Sequence, residues 1–404
     1  MLSLLMLFEC RFYFFSSFVM KKNLNIVLVN TDRVFNAKGG VEKIFCQMAN
    51  ALSRRGHTVT AVCFEKSEGK PGFPIDDRVK FVNAWPYAVP ITLSSFCRRL
   101  RCLALNARTR KVKRSKLCFE SFGVKIKTAI GSYRPDIIIC FQLESAGAVK
   151  KAFGGEVPSI TMFHFNPKVI PLLKLMPDEV SGFGRIQVLM PEYVDVVKNM
   201  APGANVFCIP NPVPQFSNTA NRYEKTIIHV GRVVRGKRQH LIVKAFSLLK
   251  EAFPDWKVEL WGEFDIDAKY TEEIRDIIRE NGIGDRVALC GITDNIPEKL
   301  SQASIFAFPS DNEGFPLALT EAMAMGLPVI GCKEAFSVSR LIRNGENGFL
   351  VDSSPEDLAD ALSKLMASEE LRIRLGDSAM EDMKEYAPEK IWDQWEDLLV
   401  SLKK

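Results

Sequence analysis

Short apolar runs recur along the chain, and each is followed by a polar or glycine-bearing loop and then by a segment with helical spacing. The runs are rich in Val, Ile and Leu, which is typical of parallel strands buried on both faces. They cover residues 24–30, 58–64, 79–85, 136–141 and 157–163 in the first half, and 226–230, 257–261, 287–289, 304–308, 329–332 and 349–351 in the second. Strands that alternate with helices predict an α/β fold with doubly wound parallel sheets.

The chain divides into two such units, since its 404 residues are enough for two domains of ordinary size. The proline-punctuated stretch 206–214, VFCIPNPVP, ends the first unit, and residues 215–224 are predicted to link it to the second. We therefore expect domains over residues 21–215 and 216–387, followed by a last helical segment over 388–404.

The most informative stretch is 310–325, SDNEGFPLALTEAMAM, which follows a predicted strand. Its acidic, glycine-containing turn leads to Pro316, a residue suited to the first position of a helix, and LALTEAMAM has a helical composition. The first N–H groups of such a helix have no partner within it. A strand, a loop and a helix start therefore predict an anion site here, above all for phosphate.

Two carboxylates, Glu313 and Glu321, flank this junction with seven residues between them. At ~1.5 Å rise per residue, Glu321 lies roughly 7–8 Å along the axis from the helix start. This separation suits two hydroxyl-bearing rings on either side of a diphosphate, because carboxylates bind sugar hydroxyls strongly. The alternative is a capped helix start with Glu321 on its solvent face, and spacing alone leaves both open.

Two sites in the first half lie where open α/β sheets bind ligands. Gly39 and Gly40 open a helix after the first strand, where backbone can approach a ligand closely, although paired glycines are more often a simple turn. His164 follows the strand 157–163, a position suited to proton handling or to a hydrogen bond with a hydroxyl. A packed, purely structural histidine is the alternative.

The second half has further strand-to-loop junctions that carry glycine. Gly231, Arg232 and Lys237 occupy one strand-to-helix loop, which is a suitable place to clamp a diphosphate. Gly262 and Gly291 follow the next two strands and could hold a base or a ribose.

Composition and charge exclude several classes of function. The ten cysteines include no C-x-x-C pair, and the four histidines include no H-E-x-x-H, so we expect neither a disulfide framework nor a metal centre. Residues 21–215 carry 29 Lys/Arg against 14 Asp/Glu, whereas residues 216–404 carry 24 against 33. The first half should therefore favour anionic surfaces.

That excess is concentrated in the basic segment 96–127, which has eleven Lys/Arg interspersed with apolar residues and a single acid, Glu120. Basic amphipathic helices of this kind lie on anionic membrane surfaces, and this is the favoured interpretation. A solvated basic face is the alternative. Nucleic acid is disfavoured, because no aromatic stacking platform accompanies the charges.

Residues 1–19 are expected to be an extension upstream of Met20 or a short membrane-surface anchor.

Several motifs of the chain form a set. They are Glu313…Glu321 with its continuation AMAMGLPVI, Gly231-Arg232…Lys237, IPNPV at 209–213, Asn344-Gly345…Gly348 and Gly39-Gly40. As a set they resemble family 4 of the retaining GT-B glycosyltransferases over about residues 21–400. The resemblance implies two Rossmann-like domains facing a cleft, an acceptor-binding one and a nucleotide-sugar-binding one. The final helix would cross back to the first domain, and no metal or other cofactor is implied.

The resemblance also implies roles for single residues. Arg232 and Lys237 would bind the donor diphosphate and neutralise the leaving group, Glu313 would contact the donor sugar, Glu321 the ribose, and His164 would lie beside the sugar. These make Arg232, Lys237, Glu313 and His164 the expected catalytic set. Further donor contacts are expected from Gly39, Gly40, Gly231, Gly262, Gly291, Gly314, Phe315, Leu317 and Ala318. Pro316 replaces a glycine found in many members.

The expected function is transfer of a hexose or N-acetylhexosamine, with retention, from a UDP-linked sugar to a lipid-linked or glycan acceptor in bacterial polysaccharide, lipopolysaccharide or glycan assembly. The expected location is the cytoplasmic face of the membrane. Alternatives are a GT-B nucleotide-sugar epimerase, a soluble sugar synthase and a non-catalytic scaffold. A NAD oxidoreductase is disfavoured, because the nearest G-x-G-x-x-G, at 182–187, lacks its last glycine.

Overall fold

The computed structural model describes residues 23–89, 107–170 and 176–403. The predicted extension at residues 1–19 and the first part of the basic segment, 96–106, lie outside these ranges.

The first domain is built on a sheet of seven strands in the order β3-β2-β1-β4-β5-β6-β7, with every neighbouring pair parallel. The strands are β1 Asn25–Val29, β2 Thr58–Cys63, β3 Lys80–Asn83, β4 Ile137–Cys140, β5 Ser159–Met162, β6 Arg185–Val188 and β7 Asn205–Cys208. Its helices are α1 Gly40–Arg54, α2 Ala107–Ile130, α3 Leu143–Phe153, α4 Pro177–Ser181 and α5 Glu192–Met200. The strand order reverses direction at β1 and β4, whose carboxyl ends therefore border the ligand crevice of such a sheet.

The second domain has a six-stranded parallel sheet in the order β10-β9-β8-β11-β12-β13. Its strands are β8 Thr226–Val230, β9 Lys257–Trp261, β10 Val287–Gly291, β11 Ile305–Phe308, β12 Val329–Cys332 and β13 Gly348–Val351. Its helices are α6 Gln239–Leu249, α7 Ala268–Glu280, α8 Ile296–Ser301, α9 Leu317–Ala324, α10 Phe336–Leu341, α11 Pro355–Ala367 and α12 Glu369–Met383. The predicted pair of doubly wound domains is confirmed.

The apolar runs are continuous because each central strand separates two cores. In β1, Val27 and Val29 belong to one buried cluster, while Ile26 and Leu28 belong to another on the opposite face. Side chains alternate between the faces of a strand, so a strand that is covered on both sides needs apolar residues at every position.

The last helix, α13 Pro388–Ser401, crosses back to the first domain as the resemblance implies. Trp392 and Trp395 are buried among residues of β1 and α1. Arg55 binds the polar side of the helix and lies 2.8 Å from Glu389 and 2.9 Å from Asp393. Helix α13 thus follows the second domain in sequence and packs on the first, which ties the two domains together.

Helix α2, which carries the described part of the basic segment, packs closely against α3. A Cβ atom on Gly147 would overlap the ring of Phe119, and one on Gly123 would overlap the carbonyl of Ala148. The same side of α2 buries Phe119 and Ile126 in the domain core. Its apolar face is therefore used inside the protein, and Lys113 and Arg114 are among the residues that point outward.

Candidate active site

The two domains meet where the first turns of α1 and α9 run side by side. A Cβ atom on Gly40 would lie 3.2 Å from Cδ1 of Leu317, and Nζ of Lys43 lies 2.5 Å from Oε1 of Glu321. Gly40 and Leu317 are the first residues of the two helices, and Lys43 and Glu321 lie about one turn further along each of them. The two helices therefore run in the same direction. Two helix N-termini, each with unpaired N–H groups and partial positive charge, therefore lie next to each other across the cleft.

Glu313 is held at the second domain's edge of this cleft by four contacts. Its carboxylate pairs with Nζ of Lys237 and accepts a hydrogen bond of 2.5 Å from the hydroxyl of Ser310. Its backbone carbonyl accepts hydrogen bonds from Tyr193 of the first domain, at 3.2 Å, and from Ser337, at 3.0 Å. The side chain of Glu313 is thus fixed in place and already neutralised by a lysine.

His164 is brought to the same loop through its backbone. A Cβ atom on Gly314 would overlap the carbonyl oxygen of His164 and approach Phe165, so only glycine permits this contact. Next to it, the side-chain amide of Asn166 donates to Asn312 at 3.1 Å. The loop that carries His164 and the acidic loop that carries Glu313 therefore lie in direct contact.

The ring of His164 faces the first domain. It stacks on Phe141 with 5.2 Å between ring centroids, and its Nε2 is buried without a hydrogen-bond partner among the described residues. Burial lowers the pKa of the imidazole to about 3, because a charged ring would lose its hydration. His164 is therefore neutral near pH 7 and has a nitrogen available to a ligand.

Three glycines line the ends of β8, β9 and β10. The N–H of Gly231 donates to Trp261 at 2.9 Å, and the N–H of Gly262 donates to Gly291 at 2.8 Å. A Cβ atom on Gly262 would overlap the carbonyl of Gly231, and its φ of 145° is one that other residues rarely adopt. These glycines bring three strand ends together at the edge of the cleft.

His229, which sequence reasoning did not assign, supports the loop that contains Arg232 and Lys237. Its Nδ1 lies 2.8 Å from the carbonyl of Ala307 and must carry the proton, so Nε2 accepts from Gln239 at 3.3 Å. Gln239 in turn donates to the carbonyl of Arg232 at 2.9 Å. Burial lowers the pKa of His229 to about 4, so the ring stays neutral and acts as a fixed spacer. Only its position inside the strand hinted at this role.

The N-terminus of α1 holds a carboxylate of its own chain. Glu42 folds back over Gly39, so closely that a Cβ atom there would overlap the carboxylate. Burial raises the pKa of Glu42, with a further rise from Asp32, while Arg232 across the cleft opposes it. The carboxylate stands where an external anion would bind, and the exposed Arg232 faces the same place from the other domain.

The remaining predicted donor residues surround the start of α9. The helix begins at Leu317 and not at Pro316, which precedes it as the capping residue. Phe315 is buried against Tyr386, with ring centroids 5.4 Å apart, and Ala318 is half-buried in the first turn. Glu321 is buried and bound to Lys43, so the alternative that places it on a solvent face is wrong.

No group of three or more His, Cys, Asp or Glu residues in the described ranges is arranged to hold a metal ion. None of the helices within those ranges is both long enough and apolar enough to span a bilayer.

Comparison with known proteins identifies the second domain. Residues 214–382 match the family model of glycosyl transferases group 1. The chain is 25% identical over 367 residues to an uncharacterised glycosyltransferase of Haemophilus influenzae, covering 89% of this chain and 96% of that protein. It is 22% identical over 376 residues to the amylovoran biosynthesis glycosyltransferase AmsD of Erwinia amylovora, covering 92% and 99%.

Solved structures agree on the fold. Sucrose-phosphate synthase from Thermosynechococcus elongatus superposes with a TM-score of 0.74 at 19% identity, covering 93% of this chain and 98% of that one. S. aureus TarM, solved with UDP, fondaparinux and α-GlcNAc-glycerol, gives 0.73 at 16% identity, covering 93% and 99%. At these identities the likeness establishes the GT-B architecture and leaves substrates open.

Proposed function

We propose that this chain, whose residues 214–382 match the family model of glycosyl transferases group 1, is a retaining glycosyltransferase of bacterial glycan synthesis. It transfers a hexose or N-acetylhexosamine from a UDP-linked donor to a membrane-attached glycan acceptor. The observation that carries the proposal is the junction of the Lys237–Glu313 pair with the two adjacent helix N-termini. Cations, helix N–H groups and a carboxylate lie close together there.

In this proposal the donor diphosphate lies between the helix starts. Lys237 and Arg232 bind it from the second domain, and the free N–H groups of Phe315, Leu317 and Ala318 add hydrogen bonds. Gly39, Gly40 and Gly314 keep the backbone close to the ligand, and Gly231, Gly262 and Gly291 border the nucleoside. The Glu42 carboxylate must leave the N-terminus of α1 when the diphosphate arrives, since two anions repel each other.

The carboxylates bind the two sugar rings of the donor. Glu313 takes hydroxyls of the transferred sugar, and Lys237, already paired with it, is shared with the diphosphate. Glu321 takes the ribose hydroxyls after releasing Lys43. The neutral His164 donates or accepts one hydrogen bond on the acceptor side.

The reaction is then driven by stabilising the departing charge. The bond between the anomeric carbon and the phosphate oxygen breaks, and the acceptor hydroxyl forms the new glycosidic bond on the same face. Its proton passes to the departing phosphate oxygen. Positive groups placed where negative charge develops are worth roughly 3–4 kcal/mol each, and no carboxylate of the described site needs to act as nucleophile.

We propose that the acceptor is attached to the membrane and that the protein works at the inner face of the cytoplasmic membrane. The cations that point outward from α2 support this. Lys113, Arg114 and Lys127 are exposed, while the apolar side of the helix is buried in the domain. Attraction to lipid in this part of the segment is therefore electrostatic and should weaken with salt.

The alternatives to this proposal are a soluble sugar synthase, a nucleotide-sugar epimerase and a non-catalytic scaffold. One experiment separates the alternatives: purified protein is incubated with a panel of radiolabelled nucleotide sugars, with and without membranes. Release of UDP with label in a lipid-extractable or polymeric product supports the proposal. Label in a small water-soluble sugar supports a synthase, isomerised donor indicates an epimerase, and no donor binding by calorimetry indicates a non-catalytic scaffold.

A further inference from the structure

A cavity of about 280 Å³ opens in the first domain beside His164, between the carboxyl ends of β4 and β5 and the start of α2. Its volume is slightly below the roughly 300–1,000 Å³ of a drug-sized site, so it fits one ring with a small substituent. Its apolar part includes Phe141 and Phe165, and its polar part includes Lys111, Ser115 and Glu144. The occupant must therefore combine an apolar face with polar and charged groups.

The cavity adjoins the proposed donor site through His164 and Phe165. The backbone of both residues touches Gly314, which directly follows Glu313. His164 is 9% exposed, and its buried Nε2 has no partner among the described residues. Because buried polar atoms are rarely left unpaired, a nitrogen of this kind beside a cavity indicates a ligand hydroxyl.

Lys111 lies on the side of α2 that faces the domain core further along the helix. Lys111 and Ser115 are one turn apart and continue the face that carries Phe119 and Ile126 further along, which is buried. A lysine at the start of an inward face, lining a cavity, is placed to bind an anion there. No ion pair of Lys111 is found among the described residues, whereas Lys116 pairs with Glu179 at 2.7 Å.

Glu144, at the start of α3, brings a carboxylate to the same cavity. The carboxylate repels an anion and accepts hydrogen bonds from hydroxyls, so the anionic group of the occupant must lie on the Lys111 side. Phe165 is 55% exposed and offers an aromatic face at the mouth, against which the C–H face of a sugar ring can pack. The cavity thus offers a cation, a carboxylate and an aromatic face to its occupant.

We propose that this cavity binds the terminal sugar of the acceptor as a glycosyl phosphate. Lys111 and Ser115 hold the phosphate, Phe165 packs against the ring, and Glu144 takes a hydroxyl. The inference rests on the proposed function and deepens it, since it names the acceptor's chemical class. The phosphate comes either from a free sugar phosphate or from a lipid-diphosphate sugar whose tail stays outside the cavity.

The test compares acceptors with the unsubstituted protein and its active nucleotide sugar. Three acceptors carry the same sugar: a free hexose 1-phosphate, a lipid-diphosphate hexose and a neutral methyl glycoside. At least about tenfold higher kcat/KM for a phosphorylated acceptor is expected, as befits one charge-assisted contact. Transfer to the lipid form alone identifies lipid as the source, and transfer to both identifies the phosphate itself. Equal kcat/KM for the neutral glycoside overturns the inference.

A matched pair of variants locates the contact. Lys111→Gln should raise KM for the phosphorylated acceptor about tenfold and abolish the preference over the neutral glycoside. Lys198→Gln, exposed on α5 of the same domain, should leave both unchanged. Equal effects of the two variants would show a general electrostatic attraction and overturn the assignment.

If the unsubstituted protein neither binds a nucleotide sugar nor releases UDP, the proposed function itself fails. If transfer occurs without preference for phosphate, only this inference fails.

Discussion

Lys43 of the first domain and Glu321 of the second are joined across the cleft by an ion pair of 2.5 Å. Glu321 is the carboxylate proposed to bind the donor ribose, and its side chain is only 9% exposed. Lys43 therefore supplies this carboxylate with an ion-pair partner while the donor is absent. In the proposed function, donor binding would break this contact, and part of the donor's binding free energy would be used for that exchange.

Replacing Lys43 should change the ligand-free protein more than the donor-bound protein. Lys43→Met removes the partner of a nearly buried carboxylate and should destabilise the ligand-free form by about 1–3 kcal/mol. The donor hydroxyls restore hydrogen bonds to Glu321, so the rise in Tm on adding nucleotide sugar should be larger than in the unsubstituted protein. A smaller or equal rise, measured by calorimetry, would contradict this competition.

The cations proposed to neutralise the leaving group should dominate turnover. Arg232→Ala and Lys237→Ala should each lower kcat at least ~100-fold, since each removes one contact to charge that develops in the transition state. The control is Lys225→Ala, which removes only an exposed ion pair with Asp255 at 2.7 Å. Near-normal turnover of both site variants, with an unchanged circular dichroism spectrum, would show that the diphosphate binds elsewhere.

The buried His164 should make stability depend on pH. Its folded pKa of about 3 lies below the unfolded value near 6.5, so between these values the unfolded chain binds more protons. Stability is therefore lost as the pH falls through 6.5 and continues to fall toward the folded pKa. From pH 7 to pH 5 the free energy of unfolding should drop about 2 kcal/mol more than in His164→Gln. Urea unfolding at both pH values measures the difference, and parallel losses would contradict it.

The contact between the histidine loop and the acidic loop should not tolerate a methyl group. In Gly314→Ala the new Cβ would overlap the carbonyl of His164, so the loops must move apart and separate Glu313 from the first domain. Both Tm and kcat should fall. Gly284→Ala is the control, because its Cβ would lie 3.8 Å from Ile278 in ordinary contact. Full activity of Gly314→Ala would mean that this approach is not needed for catalysis.

Association with anionic membranes should depend on the outward cations of α2. Neutralising Lys113, Arg114 and Lys127 together should reduce sedimentation with phosphatidylserine-containing liposomes. Each lost charge near the surface weakens binding by about 1 kcal/mol. High salt should have the same effect on the unsubstituted protein. A control that neutralises the exposed Lys269, Lys364 and Arg374 of the second domain should sediment normally. Unchanged sedimentation of the α2 variant would exclude this part of the segment as the membrane contact.

Sequence patterning was sufficient for strands whose residues are all apolar, such as β4 and β12. It did not predict β6, whose sequence RIQV places Arg185 and Gln187 among the apolar residues. Gln187 is fully buried, and its amide donates to the carbonyls of Val188 and Ile209. A polar side chain is accepted in a buried strand when such partners exist. One of them, Ile209, lies 22 positions further along the chain, where the pattern of a single strand gives no sign of it.

The candidate site shows the same limit. Glu313, Glu321, Arg232 and Lys237 could be singled out because each lies at a recognisable strand-to-helix junction. The pairing of Glu321 with Lys43, 278 positions away, depends on how the domains meet and has no local signal. The bond of Tyr193 to the Glu313 carbonyl is equally long-range. Local sequence patterns thus indicated which residues belong to the candidate site, whereas their interaction partners could be identified only in the folded structure.

The close packing of α2 on α3 through Gly123 and Gly147 fixes the distance between the outer face of α2 and the acceptor cavity on its inner side. Lys113 lies on the side of α2 opposite Lys111, so bilayer and acceptor cavity would be separated by one helix diameter, roughly 10–12 Å. In the proposed arrangement, a helix fixed at that distance would hold the reacting end of the acceptor next to the headgroups. Acceptors only a sugar or two from their lipid anchor would then fit this geometry best.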